Sequence, residues 1–213
     1  MGTLIGRRFW VAAWLAVAMS VIGAGGVMAV AAEGKRVEPR LLEDGLYTQD
    51  WFLQSFLDLK QDLADTAAGG KRLAIIWEQR GCPYCKDMHT INFADPEIND
   101  YVRANFNVIQ LNLWGDRPVT DFDGQEMSEK ALARKWGIIY TPTIQYFPES
   151  VAETGAKNAR DAEVMRMPGY FRPFHFAAVF HYVREKRYAD IHFQRYLDEY
   201  RERLRAQGKN APM

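Results

Sequence analysis

The chain has 213 residues, with 27 basic and 27 acidic side chains and no formal net charge. That length suits one domain with a sizeable core and some extra elements. The even balance argues against nucleic acid or an anionic surface as partner, and 48% hydrophobic and 25% charged residues are ordinary for a globular protein.

Residues 1–32 differ from the rest. Arg7 and Arg8 are the only charges before Glu33, and Phe9 to Ala32 is an uncharged stretch of 24 residues closing on Ala29-Val30-Ala31-Ala32. A basic start, an apolar middle and an Ala-x-Ala ending predict a secretory signal peptide, cut near Ala31 or Ala32. The alternative is a retained anchor, since a stretch of that length can span a bilayer. Export would place the chain's two cysteines in an oxidising compartment. Residues 33–45 are charged, contain Pro39 and read as a linker. The folded domain is expected over 46–206, with a disordered tail over 207–213.

Leu46 to Leu63 reads as a helix. Trp51, Phe52, Phe56, Leu57, Leu59 and Leu63 recur at steps of three and four and are expected in the core. Thr48 is a candidate cap at its start, and Gly69-Gly70 lies beyond its end. Leu73 to Trp77 is a short apolar run suited to a buried strand. Glu78 to Gly81 is polar and ends in glycine, which predicts a turn. Then come Cys82-Pro83-Tyr84-Cys85, the only cysteines in the chain.

A strand feeding a Cys-x-x-Cys at a helix start is a thiol–disulfide site. Proline is tolerated in a first helical turn, where its missing N–H has no partner to lose. Cys82 at the helix N-terminus meets unsatisfied N–H groups and the positive end of the dipole. These favour the thiolate, so its pKa is expected below the free value of about 8.5. Cys85 lies one turn on, placed to resolve a mixed disulfide formed by Cys82. Zinc binding lacks a second ligand pair. A structural bond closing so small a loop would constrain the unfolded chain little. Haem attachment fails because Lys86 follows Cys85 where histidine is needed.

The helix from Cys82 carries Met88, Ile91 and Phe93 to an interruption at Ala94. His89, four residues after Cys85, reads as a helix-surface histidine. Asp95-Pro96-Glu97 restarts a helix. Phe106 to Trp114 alternates as a strand, and Gly115 to Gln125 holds a small hairpin at Asp123-Gly124. Ser128 caps a helix over Glu129 to Trp136, stopped by Gly137. Pro142 enters a strand running to Phe147. Val151 to Ala162 is a loop, Glu163 to Met167 a short strand, and Pro173 to Lys186 and Ile191 to Arg205 are helices.

Two segments resemble the thioredoxin family: the strand–turn–Cys-Pro-Tyr-Cys–helix, and Ala133 to Gly137 followed by Ile138 to Thr143. The resemblance implies a thioredoxin-like α/β fold, a central mixed sheet flanked by helices, here with an N-terminal helix and two extra C-terminal helices. It implies that Thr141–Pro142 is cis and that Thr141 and Pro142 face the cysteines and pair with a substrate strand. Pro83 and Tyr84 would complete the substrate surface. The run from Cys82 to Pro96, with Asn107 to Asp121 and Pro168-Gly169-Tyr170, is similar to exported thioredoxin-like proteins of the SoxW type, associated with bacterial sulfur oxidation. Common thioredoxins carry a buried aspartate six residues before the first cysteine; here that position is Ile76. Glu78 is the candidate substitute for proton transfer. The Pro-Tyr pair resembles glutaredoxins rather than the usual Gly-Pro.

These readings combine into a periplasmic, monomeric thiol–disulfide oxidoreductase with catalytic Cys82 and Cys85 and no cofactor beyond that pair. It is expected to reduce another exported protein, with electrons from a membrane thiol transporter. The alternatives are a disulfide oxidant or isomerase, a cytochrome c maturation reductase, and a metal-binding chaperone using Cys82, Cys85 and His89. If anchored, the chain would face the periplasm from the inner membrane.

Overall fold

The computed structural model describes residues 34–150, 152 and 159–209. The signal-peptide or anchor reading of residues 1–32 lies outside the described residues, as do the last four positions of the expected tail. No helix among the described residues is long and apolar enough to cross a membrane.

A four-stranded mixed sheet in the order β4-β3-β7-β8 organises the domain. Its strands are β3 (Arg72–Glu78), β4 (Phe106–Asn112), β7 (Thr143–Tyr146) and β8 (Met165–Pro168). β3 and β4 run parallel, joined through α2 (Pro83–Asp87) and α3 (Pro96–Asn105), while β7 and β8 add antiparallel. Two small hairpins complete the strands: β1 (Arg40–Leu41) with β2 (Tyr47–Thr48), and β5 (Pro118–Thr120) with β6 (Glu126–Ser128). The remaining helices are α1 (Leu59–Ala68), α4 (Glu129–Lys135), the short α5 (Ala159–Ala162), α6 (Pro173–Arg184) and α7 (Phe193–Ala206). This is the thioredoxin-like fold.

Side chains alternate across the sheet, so each face has its own core. Ala74, Ile76, Val108, Ile144 and Tyr146 join Met88, Phe93, Phe176 and Phe180 under α3 and α6. Leu73, Ile75, Trp77, Ile109 and Leu111 join Leu63, Leu132 and Trp136 under α1 and α4. Every residue of β3 is buried, and covering each of its large aliphatic side chains contributes on the order of 1.5–3 kcal/mol. The two ends of that strand are charged. At one end Arg72, fully buried, donates to the carbonyls of Phe147 (2.9 Å) and Val183 (3.2 Å), to Tyr188 Oη (3.0 Å) and to Glu149 (3.2 Å). The other end is Glu78, described with the site.

The N-terminal part differs from the sequence pattern. Residues 34–45 are not a free linker: β1 pairs with β2, and Val37 N–H donates to the Ala94 carbonyl at 3.0 Å. No helix begins at Leu46. α1 starts only at Leu59, where the Asp58 side chain accepts from Gln61 N–H, and it runs to the expected stop at Gly69. The preceding apolar residues reach the core from irregular chain, so their helix-like spacing is coincidental. Phe52 is buried against Phe93, whereas Phe56 is fully exposed beside Leu57, whose φ is 63°. β4 ends at Asn112, two residues short of Trp114, which is 64% exposed.

A Cys-Pro-Tyr-Cys corner facing the Thr141–Pro142 loop

Cys82 is the N-cap of α2 and Pro83 occupies the first turn. The two cysteines form a disulfide with Cα atoms 5.2 Å apart. Cys82 is half-buried and its Sγ accepts from Cys85 N–H at 3.1 Å; Cys85 is 4% exposed. The fold thus presents the first sulfur and covers the second. The Thr141–Pro142 peptide is cis, as the resemblance implied. Thr141 Oγ1 donates to Cys82 Sγ at 3.4 Å, and that sulfur lies 3.6 Å from the Thr141 carbonyl oxygen. Pro142 is buried behind it, and its carbonyl accepts from Gly169 N–H at 2.7 Å, tying this loop to the end of β8.

Pro83 and Tyr84 are exposed. Tyr84 does not stand alone: its ring stacks on Tyr170 with centroids 6.1 Å apart and planes 14° from parallel. Tyr170 Oη donates to Asn92 Oδ1 at 3.2 Å, and Asn92 Nδ2 donates to the Phe171 carbonyl at 2.8 Å. Burial pushes the Tyr170 phenol above its ordinary value. Ile139, Tyr140 and Trp114 are also exposed. Trp114 Nε1 donates to Gln79 Oε1 at 2.7 Å, in the turn leading to Cys82. Sequence spacing gave no signal for Trp114 or Tyr170, because each reaches the site from a different connection.

Glu78 is not part of the polar turn. It is the last residue of β3, fully buried, on the face that α2 covers. His89 is likewise fully buried rather than on the helix surface. It lies four residues, about one helical turn, beyond the buried Cys85 and so falls on the same covered face. The run Met88–Asn92 forms a π turn, and Ile91 points out. His89 Nε2 lies 2.9 Å from Glu78 Oε1, and its Nδ1 lies 3.3 Å from Gln49 Nε2. The second carboxylate oxygen of Glu78 accepts from Gln110 Nε2. Both imidazole nitrogens of His89 are therefore occupied by protein partners. Among the described residues no group of three or more His, Cys, Asp or Glu is placed to hold a metal ion.

One cavity of about 730 Å³ lies away from this corner, against α3, α6 and α7, lined in part by Tyr101, His181 and Tyr200.

Residues 59–184 match the family model of the thioredoxin-like domain. No curated protein matches the chain significantly in sequence. Among solved structures, a thioredoxin-fold protein from Helicobacter pylori is 21% identical, with 65% of this chain and 87% of that chain covered and a TM-score of 0.46. A thioredoxin from Thermus thermophilus is also 21% identical, with 59% and 83% covered and a TM-score of 0.44. The family match spans more than half of the sequence, and the chain belongs to the family of thioredoxin-like domains.

Proposed function

We propose that the protein is a thiol–disulfide oxidoreductase that reduces a disulfide on another exported protein. The observation that carries this reading is the asymmetry of the pair: Cys82 half-buried at the start of α2 beside Thr141, and Cys85 covered behind it. In the reduced protein the Cys82 thiolate attacks a partner disulfide, forming a Cys82–partner bond and releasing one partner thiolate. Cys85 then gives up its proton, attacks Cys82 Sγ and closes the Cys82–Cys85 bond. The second partner sulfur leaves as thiolate and takes a proton from solvent. Two electrons have passed from the dithiol to the partner. Glu78 is the group proposed to take the Cys85 proton, since Ile76 offers none.

Thr141 and Pro142 would hold an extended segment of the partner by backbone pairing, and Pro83 and Tyr84 would touch its side chains. Residues 1–32 support a periplasmic location by their composition. There a membrane thiol transporter would restore the dithiol, and the similarity to SoxW-type proteins points to a sulfur-oxidation partner. The protein would act as a monomer without a further cofactor.

The test is equilibration of the mature protein with glutathione buffers and measurement of the Cys82–Cys85 potential. A value of about −250 mV or lower supports a reductase; a value of about −120 to −180 mV makes the protein an oxidant or isomerase instead. Failure to form a reversible disulfide would sink the redox reading.

A further inference from the structure

The interior between the end of β3 and the Met88–Asn92 turn holds a chain of side-chain hydrogen bonds whose direction is set at both ends by backbone carbonyls. Asn99 Nδ2 donates to the Phe93 carbonyl at 2.8 Å, so its amide nitrogen is fixed there. The same nitrogen lies 3.4 Å from Gln49, which must therefore present Oε1 to it. Gln49 Nε2 is then turned to His89, and an amide nitrogen only donates, so His89 Nδ1 accepts. With Nδ1 an acceptor the ring is neutral and its proton sits on Nε2, which donates to Glu78 Oε1 at 2.9 Å. From the other side, Gln110 Nε2 donates to the Tyr47 carbonyl at 2.6 Å and also to Glu78 Oε2. Both oxygens of Glu78 therefore only accept, which is the pattern of an ionised carboxylate.

We propose that His89 is a positioning residue for Glu78: the Asn99–Gln49–His89 chain locks the imidazole in the Nε2–H tautomer and holds the carboxylate ready for the Cys85 proton. Cys85 and His89 are four residues apart on one helical run, both buried, and the His89–Glu78 bond fastens that run to the end of β3. The groups facing the pair are Tyr47 and Gln49 near β2, Gln110 from β4, Asn99 from α3, and the rings of Phe52 and Phe93. Of these only Tyr47 titrates and none is a cation. A proton arriving on Glu78 would thus neutralise a lone buried negative charge instead of creating one. The glutamate two residues along from the usual aspartate position, on the same strand face, does this work only with the histidine to orient it. This inference deepens the oxidoreductase reading and rests on it.

The first measurement is the tautomer of His89 by ¹⁵N NMR in the intact wild-type protein, which needs no variant to fold. Neutral imidazole protonated on Nε2 is expected; an Nδ1–H tautomer or an imidazolium at neutral pH overturns the proposal. The second is single-turnover resolution of a mixed disulfide between Cys82 and a model thiol, followed against pH. His89→Leu should slow resolution roughly 10- to 100-fold, the scale of a lost hydrogen bond to a charged group. In a Glu78→Gln background the same change should have almost no further effect. Equal slowing in both backgrounds would overturn the positioning role. If wild-type protein forms no mixed disulfide with any thiol, the oxidoreductase reading has failed, while the tautomer result stands separately.

Discussion

His181 couples the stability of the domain to acid. Its ring stacks on Tyr101 of α3 with centroids 3.7 Å apart and lies 5.0 Å from Tyr200 of α7. Burial pushes its pKa from 6.5 down to about 4, outweighing Glu185, whose carboxylate lies 3.6 Å from Nδ1. Above about pH 6.5 the ring is neutral in folded and unfolded chains, and the histidine carries no pH-linked cost. As pH falls below that value the unfolded chain takes up the proton first. Stability is lost through the window down to about pH 4, where the folded ring is protonated too. The full span corresponds to about 3 kcal/mol, and roughly 2 kcal/mol of it is lost by about pH 5. That is a sizeable part of the 5–15 kcal/mol typical of a domain. The perturbation is His181→Phe, which keeps an aromatic ring in the stack and cannot titrate. Urea unfolding of both proteins at about pH 7.5 and about pH 5 should show the wild type losing roughly 2 kcal/mol more than the variant. Parallel losses, or an NMR titration of His181 with its midpoint near the free value, would refute the reasoning.

Other outcomes follow from the site and the core. Cys85→Ser should trap a mixed disulfide between Cys82 and an oxidised model protein, visible as a mass adduct removed by reductant; no adduct under any oxidised partner counts against the assigned order of attack. Trp136 is fully buried and its Nε1 donates to Asp121 Oδ2 at 3.1 Å. Trp136→Ala should cost about 3–5 kcal/mol, measured by denaturant unfolding; a cost below about 1 kcal/mol would contradict the packing. Gly169 has φ of 84° and open space where a Cβ would sit. Gly169→Ala should therefore lose only the backbone term, about 1–2 kcal/mol, with its bond to the Pro142 carbonyl intact; a much larger loss would mean a contact that the geometry does not contain.

The Cys-Pro-Tyr-Cys corner was legible in the sequence as local geometry because its signals are local. Cys82 and Cys85 are one turn apart, Pro83 marks the first turn, and β3 and β4 are short apolar or alternating runs. What hid was long-range. His89 reads as a surface residue because imidazole is polar, although its spacing of four from the buried Cys85 puts it on the covered face. The partners that satisfy it there, Glu78 and Gln49, come from elsewhere in the chain. Glu78 reads as the start of a polar turn because its partners His89 and Gln110 lie 11 and 32 residues away. The apolar residues before Leu59 mimic a helix stripe because a buried irregular segment also has to place side chains inward at intervals. Phe56, fully exposed within that stripe, breaks the pattern in a way composition does not foretell.

Arg72 sets where the protein can be cut. The family match ends at residue 184, and a fragment trimmed to that boundary would look complete, with all four strands and both cysteines. It would lack Tyr188, one of the four partners of the buried guanidinium, and the whole of α7, which supplies Tyr196, Leu197 and Tyr200 to the core. Leaving a buried charge short of a partner while stripping its cover is among the costlier single changes a domain can suffer. The expressible unit is therefore longer than the recognisable one, and a truncation for crystallography or NMR should keep the chain through Ala206.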